Sequence, residues 1–136
     1  ALEVIALPEV ANEVAASALK MAYAAYTKGH SALLLAVNAL AHRSGVLDAL
    51  RGEWAQSLPA LGQRSEATAK AISPKAWRFA GEMEQISATF ADCGLPPEFH
   101  IGAAELYTRL SEFKGQPPVG LDILLDVLVQ ADTSGQ

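Results

Sequence analysis

The sequence predicts an all-α fold in which one very long helix packs against several shorter ones. Between Pro8 and Gly45 there is no proline, and residues that favour helix, chiefly alanine and leucine, dominate the run. Strand-like alternation of apolar and polar residues is confined to "LEVIAL" at residues 2–7. With 51% hydrophobic and 18% charged residues, the composition is that of a folded globular chain.

The first predicted helix runs from about Glu9 to Ser44, and Gly45 follows it as a C-terminal stop. At the helical rise per residue it is roughly 50 Å long, whereas a compact domain of this size is about 37 Å across. Its middle, "ALLLAVNALA", is apolar on most faces. We therefore expect a second copy or a second domain to cover it, and we predict a homodimer with an obligate interface of roughly 2,000 Å² or more.

Shorter helices are predicted at Leu47–Gln56, Pro59–Ile72, Pro74–Asp92, Pro96–Phe113 and Leu121–Gln130. Ser73 is expected to cap the third of these, with Pro74 in its first turn and Gly94 as its stop. Residues 8–136 are thus expected to form one helical domain. A lone strand cannot satisfy its own backbone groups, so "LEVIAL" is interpreted as the last strand of something upstream.

Charge and cysteine content exclude several classes of function. The net charge is −5 and the ten basic side chains are scattered, which argues against a nucleic-acid partner. Cys93 is the single cysteine, so no internal disulfide and no paired-cysteine zinc site is expected. The start has no basic leader, and "HSALLLAVNALAH" is too short to span a bilayer. A cytoplasmic protein without a membrane partner or a metal site is predicted.

Lys20 is the first candidate for chemistry, because it is the one charged residue between Val14 and Thr27, in a run that is predicted to be a buried helix. Two interpretations stay open. The stem of the lysine packs on apolar neighbours while its ammonium reaches water, or the lysine is a general acid or base tuned by burial. Helical spacing puts Tyr23, Thr27 and Ser31 on its face, where their hydroxyls would line a small polar pocket.

Two further segments carry polar groups among apolar ones. In "KAWRFAGEMEQISATF" at 75–90, Arg78 and Glu82 are four residues apart and are expected to pair, while the aromatic residues are expected mainly in the core. Glu82 and Glu84 do not share a helix face, which argues against a paired-carboxylate catalyst. In "GLPPEFHIGAAELYTRL" at 94–110, His100 lies in the first turn of a helix, where a lone histidine is more often structural than catalytic.

Three stretches together carry a family resemblance: "ASALKMAYAAYTKGHSALLLAVNALA", "KAWRFAGEMEQISATFADCGLPPEFH" and "AAELYTRL". They resemble the helical C-terminal domain of phosphogluconate-dehydrogenase-like oxidoreductases. Within the β-hydroxyacid dehydrogenase superfamily, they are most similar to the branch whose C-terminal domain has no known function. The resemblance runs from about Ala16 to Leu110, in the family's order and spacing. It implies a fold like the C-terminal domain of 6-phosphogluconate dehydrogenase, in which the long helix joins an upstream Rossmann domain and forms the dimer.

The resemblance also implies an activity and a set of site residues. A lysine near the start of the long helix is the catalytic acid or base in those relatives, and Lys20 falls on that position. The superfamily commonly has a substrate-binding asparagine four residues later, where this chain has Ala24, and Tyr23 is the candidate substitute. The superfamily's lysine–aspartate pair in the later pocket helix has no match here. The full set of predicted substrate-binding residues is Tyr23, Thr27, Trp77, Glu82 and His100.

The resemblance implies NAD(P) for the full-length enzyme and a small hydroxy acid or related carbonyl compound as its substrate. No G-x-G-x-x-G turn is present, so this chain alone is expected to bind no cofactor and to be inactive. Residues 1–7 would then be the remnant of the upstream dinucleotide-binding domain or a linker. The alternative function is a stand-alone helical dimerisation or binding module that keeps the fold without the chemistry.

Overall fold

The computed structural model describes residues 9–133 of the 136-residue chain, and within this range it is all-helical, as the sequence predicts. The segment "LEVIAL" and the expected boundary after residue 7 lie outside the described residues. The helices are α1 (Glu9–Arg43), α2 (Leu47–Ser57), α3 (Leu61–Ile72), α4 (Ala76–Asp92), α5 (Glu98–Arg109) and α6 (Leu121–Thr133), with a 3₁₀ turn at Ser111–Phe113.

The long helix α1 has 35 residues and ends where the sequence predicts. Gly45 has a φ of +74°, in the left-handed region that glycine adopts without steric cost. The backbone N–H of Gly45 donates to the carbonyl of His42, and the N–H of Val46 donates to the carbonyl of Ala41 at 2.9 Å. These two bonds form a Schellman motif, which satisfies the last carbonyls of α1.

Helices α4 and α5 form an antiparallel pair that packs across α1. Phe79 near the start of α4 contacts Tyr107 near the end of α5, with ring centroids 5.7 Å apart. Phe90 near the end of α4 contacts His100 near the start of α5, at 4.8 Å. The largest fully buried apolar side chains come from α1, α4, α5, the turn after α5, and α6: Leu35, Met83, Ile86, Tyr107, Leu110, Leu124 and Leu125. Each such residue contributes about 1.5–3 kcal/mol by its burial.

The start of α4 differs from the prediction, because Ser73 is not its cap. Ser73 is buried in helical backbone at the end of α3, with φ −48° and ψ −48°, whereas an N-cap residue needs extended backbone. Its hydroxyl accepts a hydrogen bond from the N–H of Val119 at 3.0 Å, and so holds the connection that precedes α6. Helix α4 therefore begins at Ala76.

The end of α5 also differs from the prediction of one helix to Phe113. The α-helix stops at Arg109, and the chain continues as the 3₁₀ turn, which places Phe113 in the core. At the following connection, the carboxylate of Glu66 on α3 accepts a hydrogen bond from the N–H of Leu121 at 3.3 Å. This negative charge lies at the N-terminus of α6, where the helix dipole favours it.

The N-terminal part of α1 runs beyond the core. Among residues 12–130, whose side chains the structure describes, the first buried one is Ala25, and residues 16–20 are all exposed. The prediction of burial around Lys20 is wrong for this chain by itself, because α1 extends about 18 Å over residues 9–20 before it meets the other helices. Further along, Leu33 is 61% and Leu40 68% exposed, so the chain does not surround the middle of α1 either.

Candidate functional site

The polar centre of the fold lies where α4 and α5 cross α1. Lys28 on α1 extends its ammonium to Glu82 on α4, with Nζ 2.8 Å from Oε1 and 2.9 Å from Oε2. The same Nζ lies 4.6 Å from the centre of the Phe79 ring, a cation–π contact. Both charged side chains are partly exposed, so the pair contributes modestly to stability, and its chief effect is to fix the position of Lys28.

Tyr107 on α5 is the fourth residue of this cluster, beside Lys28, Glu82 and Phe79. Its hydroxyl donates a hydrogen bond to the backbone carbonyl of Lys28. Helix α1 continues without a break past this carbonyl. Burial, together with the negative charge of Glu82, raises the pKa of the Tyr107 phenol well above its usual value of 10. Tyr107 is therefore neutral throughout the physiological range and acts as a hydrogen-bond donor, not as an acid.

His100 at the start of α5 is bound to α1 one turn away from the Lys28 cluster. Its Nε2 lies 2.9 Å from the carbonyl oxygen of Ala25. Because a carbonyl oxygen only accepts, Nε2 is the donor in this hydrogen bond. Nδ1 is buried and has no hydrogen-bond partner among the described residues. The contact is close enough that a Cβ atom at Gly29 would lie 2.9 Å from Nε2, so Gly29 is what allows the ring to dock.

A groove of about 490 Å³, which we call the α1/α5 groove, opens beside His100 between those two helices. Its lining is almost entirely apolar: Ala25, Tyr26, Gly29, His30, Ala32, Leu33, Ala36, Phe99, His100, Gly102, Ala103 and Leu106. A second depression of about 390 Å³ continues it towards the end of α1, where Leu40, Leu106, Leu128 and Val129 are among the lining residues. The two depressions share Ala36, Gly102 and Leu106, so they form one channel along the outside of the helix pair.

Helix α1 carries a row of large residues that alternate at spacings of four and three, and four of them, Tyr26, His30, Leu33 and Leu40, line this channel. This row, the α1 stripe, consists of Leu19, Tyr23, Tyr26, His30, Leu33, Val37 and Leu40. Five of the seven are exposed large hydrophobic residues, and the other two are half-buried. The Tyr26 and His30 rings at the middle of the stripe are stacked, with centroids 5.1 Å apart. Alternating spacings of four and three are the heptad pattern of helices that pack against another helix.

The predicted residues on α1 lie on its projecting part and just after it. Lys20 and Tyr23 are exposed, and Thr27 is half-buried. The hydroxyl of Thr27 donates to the backbone carbonyl of Tyr23 at 3.1 Å, and the hydroxyl of Ser31 donates to the backbone carbonyl of Thr27 at 3.0 Å. The hydroxyls of Thr27 and Ser31 are therefore used as donors within α1, and they keep acceptor capacity towards a ligand.

The three predicted residues beyond α1 lie in different surroundings. Glu82 pairs with Lys28 and not, as expected, with Arg78, whose guanidinium lies 5.8 Å from the Phe79 ring centre. Trp77 is 41% exposed, and its ring is covered by the ammonium of Lys114 at 4.1 Å. His100 is buried against α1, with its ring at the Ala25 carbonyl. The structure thus joins Glu82 and His100 to the middle of α1, while Lys20 lies exposed on the projecting part.

Lys28 and Tyr107 are the polar residues of this centre that sequence reasoning missed. Lys28 is 54 positions from Glu82, and its carbonyl is 79 positions from the Tyr107 hydroxyl. Pairings over such distances leave no periodic signal in the sequence, since they depend on how the helices cross. Within the described residues, no group of three metal-ligating side chains lies together, and no helix has the length and apolarity needed to cross a membrane.

The middle of the chain matches a known family. The model of a domain of unknown function, DUF1932, matches residues 41–110, just over half of the 136 residues. The chain belongs to this family. The matched region runs from the end of α1 to the end of α5 and includes Glu82, His100 and Tyr107, while Lys20 and the α1 stripe precede it. No curated protein and no solved structure matches the chain.

Proposed function

We propose that this chain is the helical substrate-binding and dimerisation domain of an NAD(P)-dependent oxidoreductase that acts on a small hydroxy acid or a related carbonyl compound. Support comes first from the resemblance of its three segments to the C-terminal domains of phosphogluconate-dehydrogenase-like enzymes. Two of those segments, at residues 75–100 and 103–110, lie wholly within the region that matches the domain of unknown function. The all-helical fold around one long helix is what that resemblance implies.

The observation that carries the proposal is the position of Lys20 on the projecting part of α1. Its side chain is exposed, and Tyr23 and Thr27 lie on the same side of the helix, within one to two turns. A lysine that stands outside its own domain's core, beside hydroxyl groups, is placed where a neighbouring domain would form the second wall of a cleft. Within such a cleft, the Lys20 ammonium donates a proton to a substrate carbonyl oxygen, and the neutral amine accepts one from a substrate hydroxyl.

The described residues, 9–133, do not fit the nicotinamide cofactor itself. A dinucleotide site needs a glycine-rich turn between a strand and a helix. Within residues 9–133 there is no strand, and the glycines with positive φ, Gly45, Gly94 and Gly115, follow helical segments. The cofactor, which supplies the hydride when bound, therefore belongs to another domain in this proposal, and this chain contributes the substrate side.

Substitution of Lys20 in the full-length enzyme tests the proposal. Lys20→Ala is expected to lower the rate of hydride transfer by about 10²–10⁴-fold, the usual contribution of a general acid or base. Lys20→Arg is expected to be almost as damaging, because a guanidinium stays protonated at neutral pH. Single-turnover measurements would follow a screen of small hydroxy acids and their keto and imine relatives, with Lys70→Arg on α3 as the control.

The result that would contradict this role is a Lys20→Arg enzyme that keeps more than about a tenth of the turnover, since the cited range begins at a hundredfold loss. Lys20 would then be a lysine whose stem packs and whose charge reaches water, and Tyr23 would become the next residue to substitute. The cofactor affinity of Lys20→Ala and Lys20→Arg should be unchanged. This result would show that the lost turnover comes from substrate chemistry and not from nucleotide binding.

A stand-alone association module is the second candidate, because the exposed α1 stripe has the spacing of a helix-pairing surface. A helix-pairing surface serves a module without chemistry as well as it serves an enzyme domain. The two functions differ in what precedes the chain, since an enzyme requires a glycine-rich βαβ segment upstream. Reading the coding sequence immediately upstream decides between them.

A further inference from the structure

We propose that three side chains on α4 and α5 are positioning residues, which fix the rotation of α1 about its own axis and thereby place the Lys20 ammonium in its cleft. They are Glu82, His100 and Tyr107, and we call their polar contacts with α1 the α1 clamp. The inference rests on the proposed function, because it takes Lys20 as the acid or base. It gives Glu82 and His100 a role behind the site, without contact to the substrate.

Two contacts of the α1 clamp are hydrogen bonds from side chains of α5 to backbone carbonyls of α1. Nε2 of His100 lies 2.9 Å from the oxygen of Ala25, and the hydroxyl of Tyr107 donates to the oxygen of Lys28. His100 and Tyr107 are only 7% and 0% exposed, so these bonds form in surroundings of low dielectric constant, which strengthens them. Because the donors lie two helical turns apart on α5, the two bonds fix both the position and the direction of α5 on α1.

The third contact comes from α4 and acts on the same residue as Tyr107. The Lys28 ammonium lies 2.8 and 2.9 Å from the two carboxylate oxygens of Glu82. Lys28 is therefore held twice, through its carbonyl by α5 and through its side chain by α4. A helix that is held by directional contacts from two different helices cannot turn about its axis without breaking at least one of them.

Apolar packing alone gives α1 little resistance to rotation at this crossing. Large side chains form the ridges that lock one helix into the grooves of another. Where α1 lies beside α5, it presents the small residues Ala25, Gly29 and Ala32, whose ridges are shallow. Met21 and Ala24 also pack on the core, through apolar contacts that have no preferred direction. The polar contacts of the α1 clamp are thus the directional ones.

The rotation of α1 matters because Lys20 lies on the part of the helix that projects beyond the core. Lys20 is exposed, and it precedes Ala25, the first buried residue of the described side chains, by roughly 7 Å along the helix axis. An α-helix with its side chains is about 10–12 Å across, so a rotation of about 20° moves a side-chain end by roughly 2 Å. A displacement of about 1 Å at a reacting group is enough to cost about 10²-fold in rate.

Variants of the full-length enzyme test the positioning role, with the small hydroxy acid that the screen for Lys20 selects. Tyr107→Phe keeps the ring and removes one donor, and it should lower kcat by about 10–100-fold with KM unchanged. His100→Leu should act in the same way, whereas His100→Gln, whose amide donates in place of Nε2, should recover part of the turnover. The control is Ser73→Ala, which removes a buried hydrogen bond to Val119 instead of α1 and should leave kcat unchanged.

Distances between spin labels measure the position of α1 without any turnover. Nitroxides are attached to Lys20→Cys on α1 and Glu84→Cys on α4, both of which are exposed, while Cys93→Ser removes the natural thiol. Dilution with unlabelled chain suppresses distances between copies. The doubly labelled chain should give one narrow distance distribution. Adding Tyr107→Phe or His100→Leu should broaden it or shift it by roughly 2 Å, the displacement expected for a rotation of about 20°, and adding Ser73→Ala should not.

The two measurements separate this inference from the proposed function. A distance distribution that stays unchanged in both Tyr107→Phe and His100→Leu would overturn the α1 clamp, whatever happens to turnover. A changed distance with unchanged turnover, in an enzyme that Lys20→Arg inactivates, would overturn the positioning role and leave the proposed function intact. An enzyme that stays active with Lys20→Arg would overturn the proposed function, and the positioning role with it, even if the distances change.

Discussion

At the residue scale, Tyr107 shows how one side chain connects three helices. Its ring packs on Phe79 of α4, its hydroxyl donates to the Lys28 carbonyl of α1, and it lies fully buried on α5. Since burial raises the pKa of the phenol, the folded state holds the proton more tightly than the unfolded state does. Tyr107 therefore links the stability of the domain to alkaline pH.

The sign of this link gives the first prediction. The stabilisation that Tyr107 contributes through its tightly held proton is fully present below the unfolded pKa of about 10. It is lost as the pH rises towards the higher folded pKa. The free energy of unfolding should fall by up to about 1.4 kcal/mol per pH unit above pH 10. Tyr107→Phe should cost about 0.5–1.5 kcal/mol at neutral pH, through the lost hydrogen bond, and should remove this part of the slope.

Urea unfolding between pH 8 and 11, roughly the range around the tyrosine pKa, measures both effects. Tyr26→Phe is the matched control, because its ring is exposed and its substitution should keep the slope. Parallel stability curves for the natural chain and Tyr107→Phe throughout that range would contradict the assignment.

At the element scale, α1 serves two purposes along its length. Its C-terminal half is the core helix, against which α3 to α6 pack, while its N-terminal part leaves the core and carries Lys20. The crossing with α5 depends on Gly29, since a side chain there would collide with the His100 ring. This single position sets how closely the two helices approach.

Gly29→Ala is predicted to lower the free energy of unfolding, although alanine is the better helix former. The Cβ atom would displace a buried imidazole from the Ala25 carbonyl, at a cost of about 1–3 kcal/mol. The gain in helix propensity, about 0.5–1 kcal/mol, does not offset that loss. Gly81→Ala on α4 is the control, because nothing lies within 4 Å of its Cβ position, and it should stabilise the chain. Thermal and urea unfolding would show the opposite signs, and a stabilised Gly29→Ala would refute the packing argument.

At the scale of the whole molecule, the chain combines a self-contained core with an exposed lysine, Lys20, on the projecting part of α1 and with the largely apolar α1/α5 groove on its surface. In the proposed function, an upstream domain forms the second wall of the cleft beside Lys20, and a second copy of the chain completes the dimer. The nucleotide site is expected to belong wholly to that upstream domain.

Calorimetric titration of this chain with NADH and NADPH tests that division. We expect no saturable heat of binding, because the described residues contain no strand to support a glycine-rich phosphate turn. A Rossmann-type dehydrogenase titrated in the same buffer is the positive control. Saturable binding at micromolar cofactor would mean that the chain holds the nucleotide itself and that the proposed division of roles is wrong.

The sequence by itself determined the helical class, the long first helix and its end at Gly45, because helix propensity, glycine stops and the absence of proline act locally. The predicted start of α4 is wrong because Ser73 has a distant partner: its hydroxyl accepts a hydrogen bond from the N–H of Val119 instead of capping α4.

The tertiary structure decided everything that depends on how the helices cross. It paired Glu82 with Lys28 in place of Arg78, joined Tyr107 to the middle of α1 and left Lys20 exposed. The physical reason is that contacts between residues 54 or 79 positions apart depend on crossing angles and on steric clearance at positions such as Gly29, which no local pattern encodes. A local sequence pattern predicts which face of a helix is apolar, and the packing of the whole chain decides how much of that face is left for a partner.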